Sequence, residues 1–443
     1  TSFASLGSQI ATVAVLAHMW ALTHSALWTG TIGLATAIAI LVAGPLGGSL
    51  ADRFDRRNIV RLTTLLQALV AGALTAQSAL DAHSPVALLA LVALNAAVGA
   101  AGAPARRTLP ARLLPATRLG AGLALQNLSF QFAMLVGPAL GGVLTAWGYP
   151  LAFGAQLAAA LVSLASLAFL PPLPPRPDMS APRPVKNSGW RLALRKSTLR
   201  GAFASDFAAT ALAMPIAVFP LINDLYFEGD PRTLGLFLSA IAFGGLGAAL
   251  LSGRLSRTRR IGRVMFVSAT IWGLAIATFG AVTSLWAALL SLAIAGAADT
   301  IAVVSRGVLV QLEAPDHARG RISAVEQVIG VAAPEVGNFR GGALAALLGA
   351  PASIVIGGVG AALATAIIAG THPSTRTYEA PTDTRGCDDD ADAASSTPSL
   401  PTHSRDARGT DKEPLAGSPT CRSRKPGRSG RGLPSDAPSG EHH

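Results

Sequence analysis

The stretch Gly47–Val60, GGSLADRFDRRNIV, sets five charged groups within six residues: Asp52, Arg53, Asp55, Arg56 and Arg57. Long, nearly uncharged runs lie on both sides of it. The chain of 443 residues is 51% hydrophobic and only 13% charged, where a soluble domain carries roughly 25%. Charge is therefore confined to short knots between runs that water solvates poorly.

A helix needs ~20 apolar residues to cross a ~30 Å hydrocarbon core. Twelve segments meet that length: 3–22, 29–50, 59–80, 86–105, 120–146, 151–170, 201–221, 234–252, 262–281, 285–304, 322–348 and 351–370. Gly and Pro inside them are tolerated between packed membrane helices, and small residues such as Gly244, Gly245 and Gly247 favour close approach. The pattern predicts an all-α membrane protein of twelve transmembrane helices, its lipid partner the bilayer. The basic excess lies on this apolar part and on no soluble domain, which argues against a nucleic-acid partner.

The loops orient the chain. Twenty-three Lys and Arg fall in the loops after the second, fourth, sixth, eighth and tenth spans, against Arg232 alone in the other set. Positive loops mark the cytoplasmic face, so both termini are expected in the cytoplasm and the protein in the plasma (inner) membrane. Trp20, Trp28, Trp147, Tyr149 and Trp286 fall near the opposite loops, as interfacial anchors do. The chain begins at Thr1 without methionine, and its N-terminus is read as incomplete.

The sequence also repeats. Arg118 to Gln126 has the spacing of Arg319 to Gln327, and ADRFDRR at 51–57 is echoed by SGRLSRTRR at 252–260. Two parallel six-span halves form a transporter architecture with the substrate site between them near the midplane. The division expected is 1–170 for the first half, 171–200 for a cytoplasmic linker, 201–370 for the second half and 371–443 for a tail. The prolines of PPLPPRPDMSAPRPVKNSGW (171–190) predict an extended connector. The tail lacks the apolar mass to fold and is read as disordered. Its Cys387 and Cys421 have neither zinc nor redox spacing.

These residues carry a resemblance. Gly48 to Arg57 resembles the signature loop of the major facilitator superfamily, and VGPALGGVL (136–144) resembles the fifth-helix motif of its antiporters, around Gly137, Pro138, Gly141 and Gly142. PARRTLP (104–110) and APDHARGRISAVEQ (314–327) are similar to the branch containing enterobactin exporters and related drug-efflux proteins. That branch reads Ser-Asn-Glu-Leu-Gly-Glu-Phe-Glu-Ser-Gly on its eleventh helix. APEVGNFRGG (333–342) matches it at Glu335, Gly337, Phe339 and Gly342, with Asn338 and Arg340 in place of the two later glutamates.

The resemblance implies that Gly48, Asp52, Arg53, Arg56 and Arg57 gate the cytoplasmic face. Asp52 is expected near the start of the eleventh helix, whose dipole offers about half a positive charge, worth ~0.3–1 kcal/mol. Arg56 and Arg57 are expected to bridge to neighbouring helices, and Arg53 and Arg61 to set topology.

Within the spans few groups ionise, and each costs at least ~2.5–3.5 kcal/mol at the bilayer centre. Glu335, beside Pro334, is the first candidate for proton coupling. Asp299, seven residues from Arg306, either protonates or pairs with an arginine. Asp206 and Glu326 lie within two turns of a cytoplasmic end, where they either reach water or take part in coupling. Arg340, five residues from Glu335, does not share its helical face. His18 is read as packed rather than proton-carrying. Asn127 and Gln131, spaced i, i+4, and Asn95 are candidates for the substrate cavity, completed by Phe130, Met134 and Phe219, with Arg340 at its edge. The bland alternative is hydrogen bonding between helices, worth ~0.6 kcal/mol.

No phosphate-binding G-x-x-x-x-G-K-[ST] loop occurs, so P-loop ATP hydrolysis is not expected to drive transport. One charge crossing ~100 mV yields ~2.3 kcal/mol, and a tenfold gradient costs ~1.4 kcal/mol, so a proton suffices. The expectation is a monomeric proton-coupled exporter of an amphipathic small molecule, a drug or a siderophore, with no cofactor, no metal and no catalytic residue. An uptake symporter, or a sensor or scaffold of the same fold, stays open beside it.

Overall fold

The computed structural model describes residues 2–173, 188–255, 260–315 and 318–379. The expectations for the centre of the linker and for the tail with Cys387 and Cys421 lie outside the described residues, as does the side chain of Asp52.

Every expected span is helical. The first half is α1 (Ser2–Thr23), α2 (Ala26–Arg53), α3 (Arg56–Ala79), α4 (Pro85–Leu113), α5 (Ala116–Trp147) and α6 (Tyr149–Ala168). A short α7 (Ser188–Arg195) precedes the second half. That half holds α8 (Ser197–Ala213), α9 (Phe219–Tyr226), α10 (Pro231–Leu255), α11 (Ile261–Ala281), α12 (Leu285–Glu313), α13 (Arg319–Leu348) and α14 (Ala350–Thr371). A last turn, α15 (Pro373–Arg376), follows. α8 and α9 are one span, interrupted at Met214 and Pro215 by a tight turn at Ile216–Val218. Pro215 has no N–H for the helix ladder, so the chain breaks there.

Among the described residues, eleven helices are long and apolar enough to cross a membrane by length and composition. The exception among the twelve spans is α13, which has ample length at 30 residues but carries Glu326, Glu335, Asn338 and Arg340.

The internal repeat is visible in the joints. Gly148 (φ 146°) joins α5 to α6, and Gly349 (φ 85°) joins α13 to α14, each a single-residue turn followed by proline at the second helical position. A side chain is strained at these φ values, so glycine is the residue that allows so short a turn. Large apolar side chains on the outside of the bundle, among them Leu69, Phe243, Leu250, Leu290 and Leu363, stay exposed. Apolar surface on that scale is unfavourable in water and stable against lipid.

Two boundaries differ from the sequence reading. The linker is not extended throughout, because its last proline is Pro184 and helix α7 starts at Ser188. The tail does not begin at 371. Thr375 is fully buried, and its hydroxyl donates to the Thr198 carbonyl at 3.1 Å. The Gly262 N–H donates to the Tyr378 carbonyl at 3.4 Å. Gly201 and Gly262, lacking side chains, leave the space that Thr375 fills.

Candidate functional site

Two helix pairs join the halves, α2 with α13 and α5 with α10. Both seams are tightest toward the arginine-poor end. A methyl group on Gly30 would lie 3.2 Å from the Gly342 Cα. One on Gly142 would lie 2.6 Å from the Pro231 carbonyl oxygen and 2.9 Å from the Arg232 Cα. Ser239 donates to the Leu135 carbonyl at 2.8 Å across the second seam. Gly137 and Gly141 bring α5 against α1 at Gln9 and Ile10, and Pro138 lies against Gly235 of α10.

Below the α2–α13 seam is a central cavity of about 350 Å³. Polar groups from six helices reach it: Ser8 and Thr12, Thr29 and Thr36, Gln67, Asn95, and Gln156, with Glu335 and Asn338 from α13. Among the described residues, Glu335 is the one ionisable side chain in its wall. Asn338 donates to the Glu335 carboxylate at 3.1 Å and accepts from the Ala217 N–H at 3.3 Å. Asn338 thus links the acid to a backbone donor freed by the break at Pro215. Gly33 makes room for the acid, since a methyl there would lie 2.9 Å from its Oε2.

Ala96 and Gly99 are shared with a second cavity of about 800 Å³ between α2, α4 and α13. Its wall is mostly apolar, including Leu41, Pro45, Val328 and Val331, with Arg107 and Gln327 at the arginine-rich end. Arg107 donates to the Gln327 amide oxygen at 3.1 Å, bridging the halves. A third cavity, about 520 Å³, also borders Arg107 and is lined by Ser2, Leu123, Asn127 and Phe130. Arg106, one residue before Arg107, is turned inward and donates to Gln67 at 3.2 Å and to the Gly99 carbonyl at 2.6 Å.

The sequence-predicted cavity residues therefore separate. Asn95 joins Glu335. Asn127 and Phe130 face the third cavity, and Gln131 and Met134 are absent from the central wall. The Gln9 amide contacts the Met134 sulfur. Phe219 is no cavity wall: it is fully buried, edge-on to Phe237 and Phe279 at 5.5 and 5.3 Å between ring centres. Arg340 is also outside the cavity. Five residues turn it well away from Glu335, and its guanidinium lies beside Gly357 of α14.

Asp206 does not reach water. It pairs with Arg306, whose side chain is 8% exposed and which also meets Glu326 at 3.4 Å. Asp299 lies in the wall of the same small cavity as Asp206 and Arg306. His18 is packed, stacked on Tyr149 with ring centres 4.4 Å apart.

The basic loop is tied to its own half. Asp55 caps α3 at the Arg57 N–H (2.8 Å) and accepts from the Leu173 N–H at 3.1 Å. Arg57 donates to the Ala168 carbonyl at 3.4 Å. Arg61 does more than orient the chain: it donates to Leu167 and Ala168 at 3.1 and 2.8 Å, meeting the negative end of the α6 dipole. Arg53 is exposed, and Gly48 has open space around it.

Twelve spans in two halves around a central cavity form a transporter architecture, and the sequence model of the Major Facilitator Superfamily matches residues 1–337. The chain belongs to the major facilitator superfamily. This superfamily member is similar to the enterobactin exporter EntS of Citrobacter koseri, 27% identical over 366 residues covering 81% of this chain and 86% of that protein. It is also similar to the multidrug efflux pump Tap of Mycolicibacterium fortuitum, 28% identical over 371 residues covering 77% and 87%. Among solved structures it resembles the nucleoside transporter NupG, with a TM-score of 0.66 at 14% identity over 85% of this chain and 97% of that one. The D-xylose-proton symporter gives 0.65 at 14% identity, over 85% and 97%. The structural likeness shows the fold. The protein is a multi-pass membrane transporter rather than an enzyme.

Proposed function

We propose that this transporter exports an amphipathic small molecule in exchange for protons, by rocking its two halves about the central cavity. The observation that carries the reading is the joined pair of cavities, polar around Glu335 and apolar toward the arginine-rich end. Such a passage suits a molecule with one polar and one apolar part. The positive loops orient the arginine-rich end toward the cytoplasm of the inner membrane. The cavities open at that end and the glycine seams close the other, so this is the conformation that loads substrate from the cytoplasm. Similarity to two efflux proteins supports the direction.

Glu335 carries the proton. Its carboxylate is the ionisable group among the described residues of the cavity wall, and substrate competes for the same space. In proteoliposomes loaded with a fluorescent lipophilic dye, Glu335→Gln is expected to exchange dye between compartments yet fail to accumulate it when a pH gradient is imposed. Loss of exchange along with accumulation, in well-folded protein, refutes the coupling role. Cysteines at Ser84 and Gly229 are expected to label from outside intact cells, and one at Ser188 is not. External labelling of Ser188→Cys overturns the orientation.

A further inference from the structure

Arg306 of α12 is 6% exposed and sits between two carboxylates from different helices, Asp206 of α8 and Glu326 of α13. Asp299 lies two helical turns before Arg306, on the same face of α12, and lines the cavity that Asp206 and Arg306 share. Among the described residues Asp299 has no ion-pair partner. Among the described residues no other charged side chain lines the cavity, and α10, which also packs on α12, contributes nothing to its wall. α11 presents Met265, Ala269 and Trp272 to the cavity, and α14 has no ionisable residue. Lys196, Arg200, Glu313 and His372 belong to the arginine-rich end, where Lys196 pairs with Glu313 and Arg200 with His372. Two carboxylates thus flank one guanidinium and a third, Asp299, lines the same cavity, an excess of negative charge in a setting where uncompensated ions are strongly disfavoured.

Two polar atoms of residues that line this cavity lack partners. The Oδ2 of Asp206 is buried without a hydrogen-bond partner, in a side chain that is 10% exposed. The Oγ of Ser205, a residue 2% exposed, is likewise buried and unpartnered, and Ser205 lines the cavity too. The cavity holds about 20 Å³, room for one occupant the size of a water molecule. Its oxygens are too few for calcium, which takes six to eight.

We infer that the second half holds its own cation site, bounded by Asp206, Asp299 and Ser205, which takes one small monovalent cation, a proton or Na⁺. The site is separate from Glu335, which lines a different cavity, and does not rest on the export reading. Arg306 holds the two flanking helices together and leaves Asp299 to receive the cation.

Trp272 lines the cavity and reports on it. The full chain in detergent is titrated from about pH 5 to about pH 9, in choline and in Na⁺ buffers, and the Trp272 signal is taken as the difference from Trp272→Phe. The expected result is a titration that Asp299→Asn abolishes and that both Asp299→Glu and Glu335→Gln retain. A midpoint that falls by about one pH unit per tenfold rise in Na⁺ assigns Na⁺ as a competing occupant, and an unmoved midpoint assigns the proton alone. The inference is overturned if the wild type gives no signal with either pH or Na⁺. It is also overturned if Asp299→Asn keeps the titration or if Glu335→Gln removes it. Asp299→Glu guards against a folding artefact, because it preserves the charge that the packing accommodates.

Discussion

The two ends of the interface between the halves are built from opposite materials. At the arginine-poor end, backbone meets backbone: Gly30 against Gly342, and Gly142 against Pro231 and Arg232. At the arginine-rich end the same helices diverge around the large apolar cavity, and Arg107 reaches across to Gln327. Close backbone packing gains dispersion energy over many atoms and tolerates no added volume. A long, exposed side-chain bond is weak and easily broken. The difference teaches that the closed end is specified sterically, while the open end relies on polar contacts that form and release.

The largest effect is expected from breaking the steric end. Gly142→Leu forces side-chain volume into a contact where even a methyl would overlap backbone. Overpacking of this kind costs typically ~1–3 kcal/mol, enough to shift a two-state balance by roughly five- to 150-fold. Dye transport should fall by that order, and a thiol reagent applied from outside should reach a cysteine placed at Thr29, which is 1% exposed in this conformation. Unchanged transport would show that the seam need not close.

A smaller effect is expected from Asp52→Asn in the basic loop. It should slow transport several-fold while insertion and expression stay near wild type, the outcome expected if the loop gates the cytoplasmic face through a helix-terminus interaction worth ~0.3–1 kcal/mol. Wild-type transport rates would remove the loop from the gate and leave it to orientation and to the α6 contacts of Arg57 and Arg61.

The smallest effect is expected from Arg107→Ala. An exposed polar bridge contributes ~0.2–1 kcal/mol, so transport should change less than about fivefold. A larger loss would mean that Arg107, which borders two cavities, also meets the substrate.

The spans were legible because a ~20-residue apolar run between charged knots has few other stable solutions in a chain this poor in charge. The site was legible only in part, for reasons tied to particular residues. Glu335 stood out because an isolated carboxyl in such a run needs a reason. The spacing of Asn127 and Gln131 placed them on one side of α5, but periodicity does not say which neighbour that side meets. Asn338 read as a departure from the family pattern. Its part became visible only when the break at Pro215 put the Ala217 N–H beside it. The Asp206–Arg306–Glu326 network spans three helices, with Asp206 a hundred residues before Arg306, and no local pattern announces it. Thr375 escaped notice because its pocket is made by two glycines, Gly201 and Gly262, far from it in the chain.

The single-residue joint at Gly349 has a mechanical consequence. An elbow that short leaves no slack, so α13 and α14 swing as one lever. One arm carries Glu335. The other turns Ile356, Val359, Leu363 and Ile367 outward to the acyl chains. A stroke that moved the acid would drag this greasy paddle through lipid, and turnover is then expected to depend on the thickness and viscosity of the surrounding bilayer.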